Sequence, residues 1–189
     1  RFCQVTGVQT CALPIFARGG YLNGVQGVLS GMNSPTESPM STQAPGIVNL
    51  PKIDDPRGNL TFIEQEKHIP FLIKRVYWIY DVPGGQVRGG HAFREQQEFI
   101  VALSGSFDVV VNDGRRERRF HLNRSYYGLY ISNGLWRHLD NFSTNSVALV
   151  LSSTVYSADD YIRDFDEYLL FRATMPTLCT LSEIQEWKP

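Results

Sequence analysis

From residue 47 to residue 153 the chain repeats one pattern: short runs rich in β-branched and aromatic residues, broken by turn-forming residues. Strands are expected at 60–64, 74–81, 97–103, 106–111, 118–122, 128–131 and 147–152. The clearest alternation is Phe107, Val109 and Val111 against Ser106, Asp108 and Val110. It runs into Asn112-Asp113-Gly114, a hairpin signal because Asn and Gly tolerate positive φ. Several short strands at fairly even spacing predict an antiparallel barrel or double-sheet jelly roll. The pattern then changes. Over 157–170 the acidic residues Asp159, Asp160, Asp164, Asp166 and Glu167 surround Tyr161, Ile162, Phe165, Leu169 and Leu170. This reads as one short amphipathic helix with Ser157 as its N-cap.

The first residues follow another logic. Val5 to Ile15, VTGVQTCALPI, resemble the translated end of a widely used short-read sequencing adapter. Residues 1–15 are therefore expected to be an assembly artefact outside the fold. Residues 16–46, rich in Gly, Ser, Pro and Thr, are expected to be linker or read-through, with Met40 the preferred natural start. That leaves 47–170 for the domain and 171–189 for a C-terminal tail.

Composition narrows the function classes. The 189 residues are 42% hydrophobic, enough for a sizeable core, and the net charge is −1. Neither nucleic acid nor a membrane surface is favoured as a partner by this charge. No apolar run is long enough to predict a spanning helix. Of the three cysteines, Cys3 and Cys11 fall in or beside the adapter-like stretch and only Cys179 remains. No disulfide framework or thiolate metal cluster is expected, and the setting is read as reducing and cytoplasmic. Arg115, Arg116, Arg118 and Arg119 follow the hairpin signal and read as a solvated strand edge.

One spacing carries chemistry. Gly85, His91, Phe93, Glu98 and Gly105 follow G-x5-H-x-F-x4-E-x6-G, which is similar to the first cupin motif with its second histidine replaced. Gly134, Arg137 and Asn141 resemble the second motif, with Arg137 in place of a metal-binding histidine. One His and one Glu make a poor transition-metal site, and a guanidinium repels a cation, so no metal is expected. His68, His121 and His138 have no metal-ligand spacing.

A closer family resemblance rests on longer stretches. Asp55-Pro-Arg57-Gly58-Asn-Leu60, Ile69-Pro70-Phe71, Lys74-Arg75-Val76-Tyr77 and Arg88-Gly89-Gly90-His91-Ala92 resemble the dTDP-4-oxo-6-deoxyglucose 3,4-ketoisomerases. So do Leu103-Ser104-Gly105-Ser106, Gly128-Leu129-Tyr130, Trp136-Arg137 and Asp160-Tyr161-Ile162-Arg163. The resemblance implies an all-β cupin, an RmlC-like jelly-roll barrel with a short C-terminal helix. It also implies a cofactor-free homodimer of deoxysugar and polysaccharide biosynthesis that moves a sugar ketone from C4 to C3. The partner would be a nucleotide-diphosphate sugar.

Such a tautomerisation needs a base near neutral pKa, an oxyanion donor and groups that hold the sugar. Carried over by motif, His91 is the candidate base, with Tyr77 and Arg88 beside it as catalytic candidates and Arg137 facing the sugar. Arg57 and Arg75 are candidates for the substrate, or for structural ion pairs. Tyr130 is a candidate binding aromatic, or a core residue. Glu98 lines the pocket, or only accepts hydrogen bonds. Phe93 stands where the family commonly has a second histidine. At i+2 along a strand it is expected to face the pocket with His91, leaving Tyr, water or His91 itself to return the proton. Two other readings stay open: a non-catalytic nucleotide-sugar-binding cupin, and a related sugar epimerase.

Overall fold

The computed structural model describes residues 44–175 and 180–181. The adapter-like segment, residues 16–43, and residues 176–179 and 182–189 of the tail lie outside the described residues. Two five-stranded antiparallel sheets face each other, with the orders β1-β9-β6-β11-β4 and β12-β5-β10-β7-β8. The strands of the first are β1 (Gly46–Asn49), β4 (Arg75–Ile79), β6 (Glu98–Ser104), β9 (Tyr127–Ile131) and β11 (Val147–Ser152). The second holds β5 (Arg88–Phe93), β7 (Phe107–Asn112), β8 (Glu117–Leu122), β10 (Trp136–Asp140) and β12 (Tyr161–Ile162). A small ribbon pairs β2 (Lys52–Ile53) with β3 (Leu60–Thr61). This is the expected all-β jelly roll, closed by one helix, α1 (Phe165–Thr174).

The period-two pattern sorts side chains between the faces. Ile100, Ala102, Phe107, Val109, Val111, Leu129, Ile131, Leu139, Ala148 and Val150 point between the sheets and form the main core. The intervening Phe99, Val101, Tyr130 and Leu151 point out of the first sheet, where Leu50, Ile69 and Phe71 cover them. Further along that outer face, Val76, Trp78, Tyr80 and Leu103 stay exposed.

The elements differ from the sequence expectations in definite ways. The stretch 60–64 pairs only at Leu60 and Thr61. The helix begins eight residues later than Ser157, at Phe165. Its N-cap is Asp164, whose carboxylate accepts from the Glu167 amide. Ser157 precedes a single 3-10 turn, Ala158–Asp160, and makes no side-chain cap. Asp160 is instead committed to the Glu95 and Gln96 amides. The chain from 157 to 164 thus contains β12 rather than a helical turn.

β5 and β10, absent from the expected strands, are the pair that holds the site. β5 carries adjacent glycines and β10 carries an inward-facing charge, so neither shows apolar alternation. Between them, three steps along β5 match two along β10: His91 lies opposite Arg137, and Arg88 opposite Leu139. This is a β-bulge, with Gly89 at φ +67. A Cβ on Gly89 would clash with Arg137 Nη1, so only glycine leaves room for the guanidinium.

Helix α1 braces the outside of this pair. Tyr168 is fully buried against Ala92 and Ile162, beside Trp136. Its hydroxyl donates to the Asn112 carbonyl at 2.7 Å.

Candidate active site at the open end of the barrel

The site forms where strands begin and end together. Glu98 opens β6, Arg75 opens β4, and Trp136-Arg137 opens β10, while Phe93 closes β5 and Ser152 closes β11. At its centre is a buried ion pair. Arg137, 2% exposed, reaches Glu98, 1% exposed, through Nε at 2.8 Å and Nη2 at 3.0 Å. Its Nη1 donates to the Gly89 carbonyl at 2.7 Å, at the bulge. Tyr77 donates to Glu98 at 2.6 Å and accepts from Arg137 Nη2 at 3.3 Å. Gln96 donates to the same carboxylate at 2.9 Å. Burial works against the Arg137 charge, but Glu98 and Tyr77 outweigh it and hold the guanidinium protonated. Burial, then the Glu98 charge, pushes the Tyr77 phenol well above its usual range. The network is thus fully paired, as a buried ion pair requires.

His91 faces this network from β5. Its Nε2 is buried and has no hydrogen-bond partner. Burial, then the Arg137 and Arg163 charges, pushes the imidazole down to about 2, so it is neutral near pH 7. Phe93 lies on the same side, as the i, i+2 spacing predicts, with its ring 4.8 Å from that of His91. The Arg137 guanidinium lies 5.6 Å from the Phe93 ring centre. Phe93 closes off the position beside the base with apolar surface.

The remaining candidates fall in different places. Arg75 stacks 5.2 Å from Tyr77 and 5.5 Å from Tyr156, and donates through Nη2 to Gln96 at 2.8 Å. Its Nε is buried and has no hydrogen-bond partner. Arg88 shares the His91 side of β5 by register, because of the bulge, and its side chain is exposed. Arg57 is far less engaged: it is exposed in the β2–β3 turn and paired with Asp55 at 2.8 Å. Tyr130 is fully buried on the outward face of the first sheet and donates to Gln97 at 2.7 Å, away from Glu98.

Two residues to which the sequence reasoning assigned no role belong to the site. Tyr161, on β12, lies opposite Phe93 in register. Its ring is 4.9 Å from His91 and 4.6 Å from Phe93. Arg163 covers the Tyr161 ring at 4.4 Å. Both sit in a segment read as helix, where their side chains would have pointed elsewhere. The signal available was the family-like Asp160-Tyr161-Ile162-Arg163 stretch itself, not any periodicity.

Among the described residues, no three His, Cys, Asp or Glu side chains converge as metal ligands. The arrangement offers a neutral base, a paired cation, two phenols and cationic groups at the rim. That set suits proton transfer on a carbon acid next to a carbonyl.

Residues 43–173 match the family model described as FdtA, WxcM-like, C-terminal. The chain belongs to this FdtA family. The FdtA-type sequence is 40% identical over 122 residues to the TDP-4-oxo-6-deoxy-alpha-D-glucose-3,4-oxoisomerase of Aneurinibacillus thermoaerophilus, covering 65% of this chain and 88% of that protein. The FdtA fold seen here superposes on a 3,4-ketoisomerase from Helicobacter canadensis with a TM-score of 0.67 and 41% identity, over 68% of this chain and 97% of that one. A sugar 3,4-ketoisomerase from Thermoanaerobacterium thermosaccharolyticum, solved in complex with TDP, gives a TM-score of 0.67 and 35% identity, over 69% and 95%. The resemblance drawn from the motifs therefore extends over the whole FdtA domain.

Proposed function

We propose that this protein is a sugar 3,4-ketoisomerase acting on a dTDP-4-oxo-6-deoxyhexose, with His91 as the base. The observation that carries the reading is the buried, neutral His91, its Nε2 unpartnered beside the Arg137–Glu98–Tyr77 network. Family membership supplies the substrate class.

His91 takes the C3 proton, which is acidified by the C4 ketone. Charge then develops on O4, and the buried Arg137 guanidinium supplies the positive surroundings that stabilise it. Glu98 keeps Arg137 and Tyr77 in place and balances the buried cation. Arg75 and the exposed Arg88 are the groups suited to the diphosphate, which a guanidinium grips through paired hydrogen bonds. A dianionic diphosphate entering this cationic mouth opposes the influence of Arg137 and Arg163 on His91. Substrate binding thus raises the basicity that the free site holds low. No cofactor or metal has a role in this scheme. Arg57 is paired with Asp55 in the β2–β3 turn, and Tyr130 acts as core.

The protein is proposed to work as a cytoplasmic homodimer. The support is the exposed apolar face of β4 and β6: Val76, Trp78, Tyr80 and Leu103, from 48% to 59% exposed. No helix among the described residues is long and apolar enough to cross a membrane.

Incubation with dTDP-4-oxo-6-deoxyglucose in deuterated water tests the function. A 3-keto product carrying deuterium at C4 is expected. Deuterium next to an unmoved ketone, with inversion, indicates an epimerase instead. Binding without turnover or exchange indicates a sugar-nucleotide-binding cupin.

A further inference from the structure

We propose that Tyr161 is the catalytic acid that returns the proton to C4, filling the role left open by Phe93. The inference rests on the ketoisomerase reading. Isomerisation needs a donor close to the base, on the wall that meets C3 and C4, with a transferable proton. Phe93 cannot serve, since its ring carries none.

Two phenols flank the site, and the geometry separates them. The Tyr77 hydroxyl gives its proton to Glu98 at 2.6 Å, inside a fully paired network. Burial and the Glu98 charge both oppose its ionisation. Its proton is thus committed to Glu98, and the phenol is poorly suited to leave as phenolate. The Tyr161 hydroxyl has no hydrogen-bond partner among the described residues. Its ring packs against both His91 and Phe93. The phenolate formed on donation lies beside a cation, the Arg163 guanidinium 4.4 Å over the ring. β12 is held in place by its pairing with β5, at Tyr161 with Phe93 and Ile162 with Ala92, so base and donor move together.

The steps balance without any other reactant. His91 takes the C3 proton; the C3–H pair forms C3=C4, and the carbonyl pair moves to O4. The proton on O3 crosses to O4. The O3 lone pair then forms the C3 ketone, and the C3=C4 pair takes the Tyr161 proton at C4. Protonated His91 gives its proton back to the Tyr161 phenolate, and both groups are restored.

The test is Tyr161→Phe in the full chain, followed by proton NMR with dTDP-4-oxo-6-deoxyglucose in deuterated water. Exchange at C3, the His91 half of the reaction, is expected within about ten-fold of wild type. Formation of the 3-keto product is expected to fall about 10²-fold or more. Adding Phe93→His to Tyr161→Phe is expected to restore product formation at least ten-fold, which a tyrosine needed only for packing would not allow. Product formation near the wild-type rate overturns the proposal. So does an equal loss of exchange and product that Phe93→His does not rescue. Absence of both exchange and product in the wild type overturns the ketoisomerase reading and this inference with it.

Discussion

His91 begins, in the unfolded chain, as an ordinary imidazole with a value near 6.5, and folding moves it to about 2. This has a thermodynamic sign. Between those values the unfolded chain binds a proton that the folded chain refuses, so stability is complete above pH 6.5 and is lost progressively as pH falls below it. His91→Asn removes that linkage. The urea midpoint of the variant is expected to fall less than that of wild type between pH 7 and pH 5, with equal m-values. The same variant is expected to lose turnover by 10²–10⁴-fold while keeping its affinity for the sugar nucleotide, because Asn retains a polar shape and cannot accept the proton. Isothermal titration beside a rate assay separates the two effects. A variant that binds normally and turns over normally would move the base elsewhere.

At the scale of elements, the site depends on how β5 and β10 are fitted together. Gly89→Ala is expected to disable the enzyme without touching a reacting group. The new Cβ meets Arg137 Nη1 and also forces a non-glycine residue to φ +67. Arg137 must then withdraw from the Gly89 carbonyl and from Glu98. A fall in melting temperature, together with at least a ten-fold loss of kcat, is the expected result; an unchanged kcat would show that the guanidinium tolerates displacement. This dependence also explains what could be read from the sequence. β7 was legible because Phe107, Val109 and Val111 face one core while Asp108 faces the opposite side. β5 and β10 were not, because paired glycines and a buried arginine erase the apolar rhythm that betrays a strand. His91, Phe93, Glu98 and Arg137 were nevertheless legible as a set, through motif spacing rather than periodicity. Tyr161 and Arg163 were hidden by a helix expectation in which acidic residues counted as a solvated face. Asp160 is spent instead on the amides of Glu95 and Gln96, tying β12 to the β5–β6 connection.

For the whole molecule, the outer face of the first sheet is covered on one side only. Leu50, Ile69 and Phe71 lie over Phe99, Val101 and Tyr130, but Trp78, which pairs across to Leu149, is 59% exposed. β4 is moreover an edge strand, with no neighbour beyond it among the described strands. A second copy of the chain on this face would cover Val76, Trp78 and Tyr80 together. Light scattering at micromolar concentration is expected to give a dimer mass for the wild type and a monomer mass for Trp78→Glu. A wild-type monomer would remove this face from consideration. The β5 bulge has a consequence at this scale as well. The sheets carry their chemistry by parity, and the one surplus residue between Arg88 and His91 sets which residues look inward. Removing a single residue there would return β5 to plain alternation, with Arg88 and His91 still on one side, but would abolish the bulge at which the Gly89 carbonyl accepts from Arg137 Nη1. Natural variants of this chain should therefore keep both the count from Arg88 to His91 and the glycine at position 89.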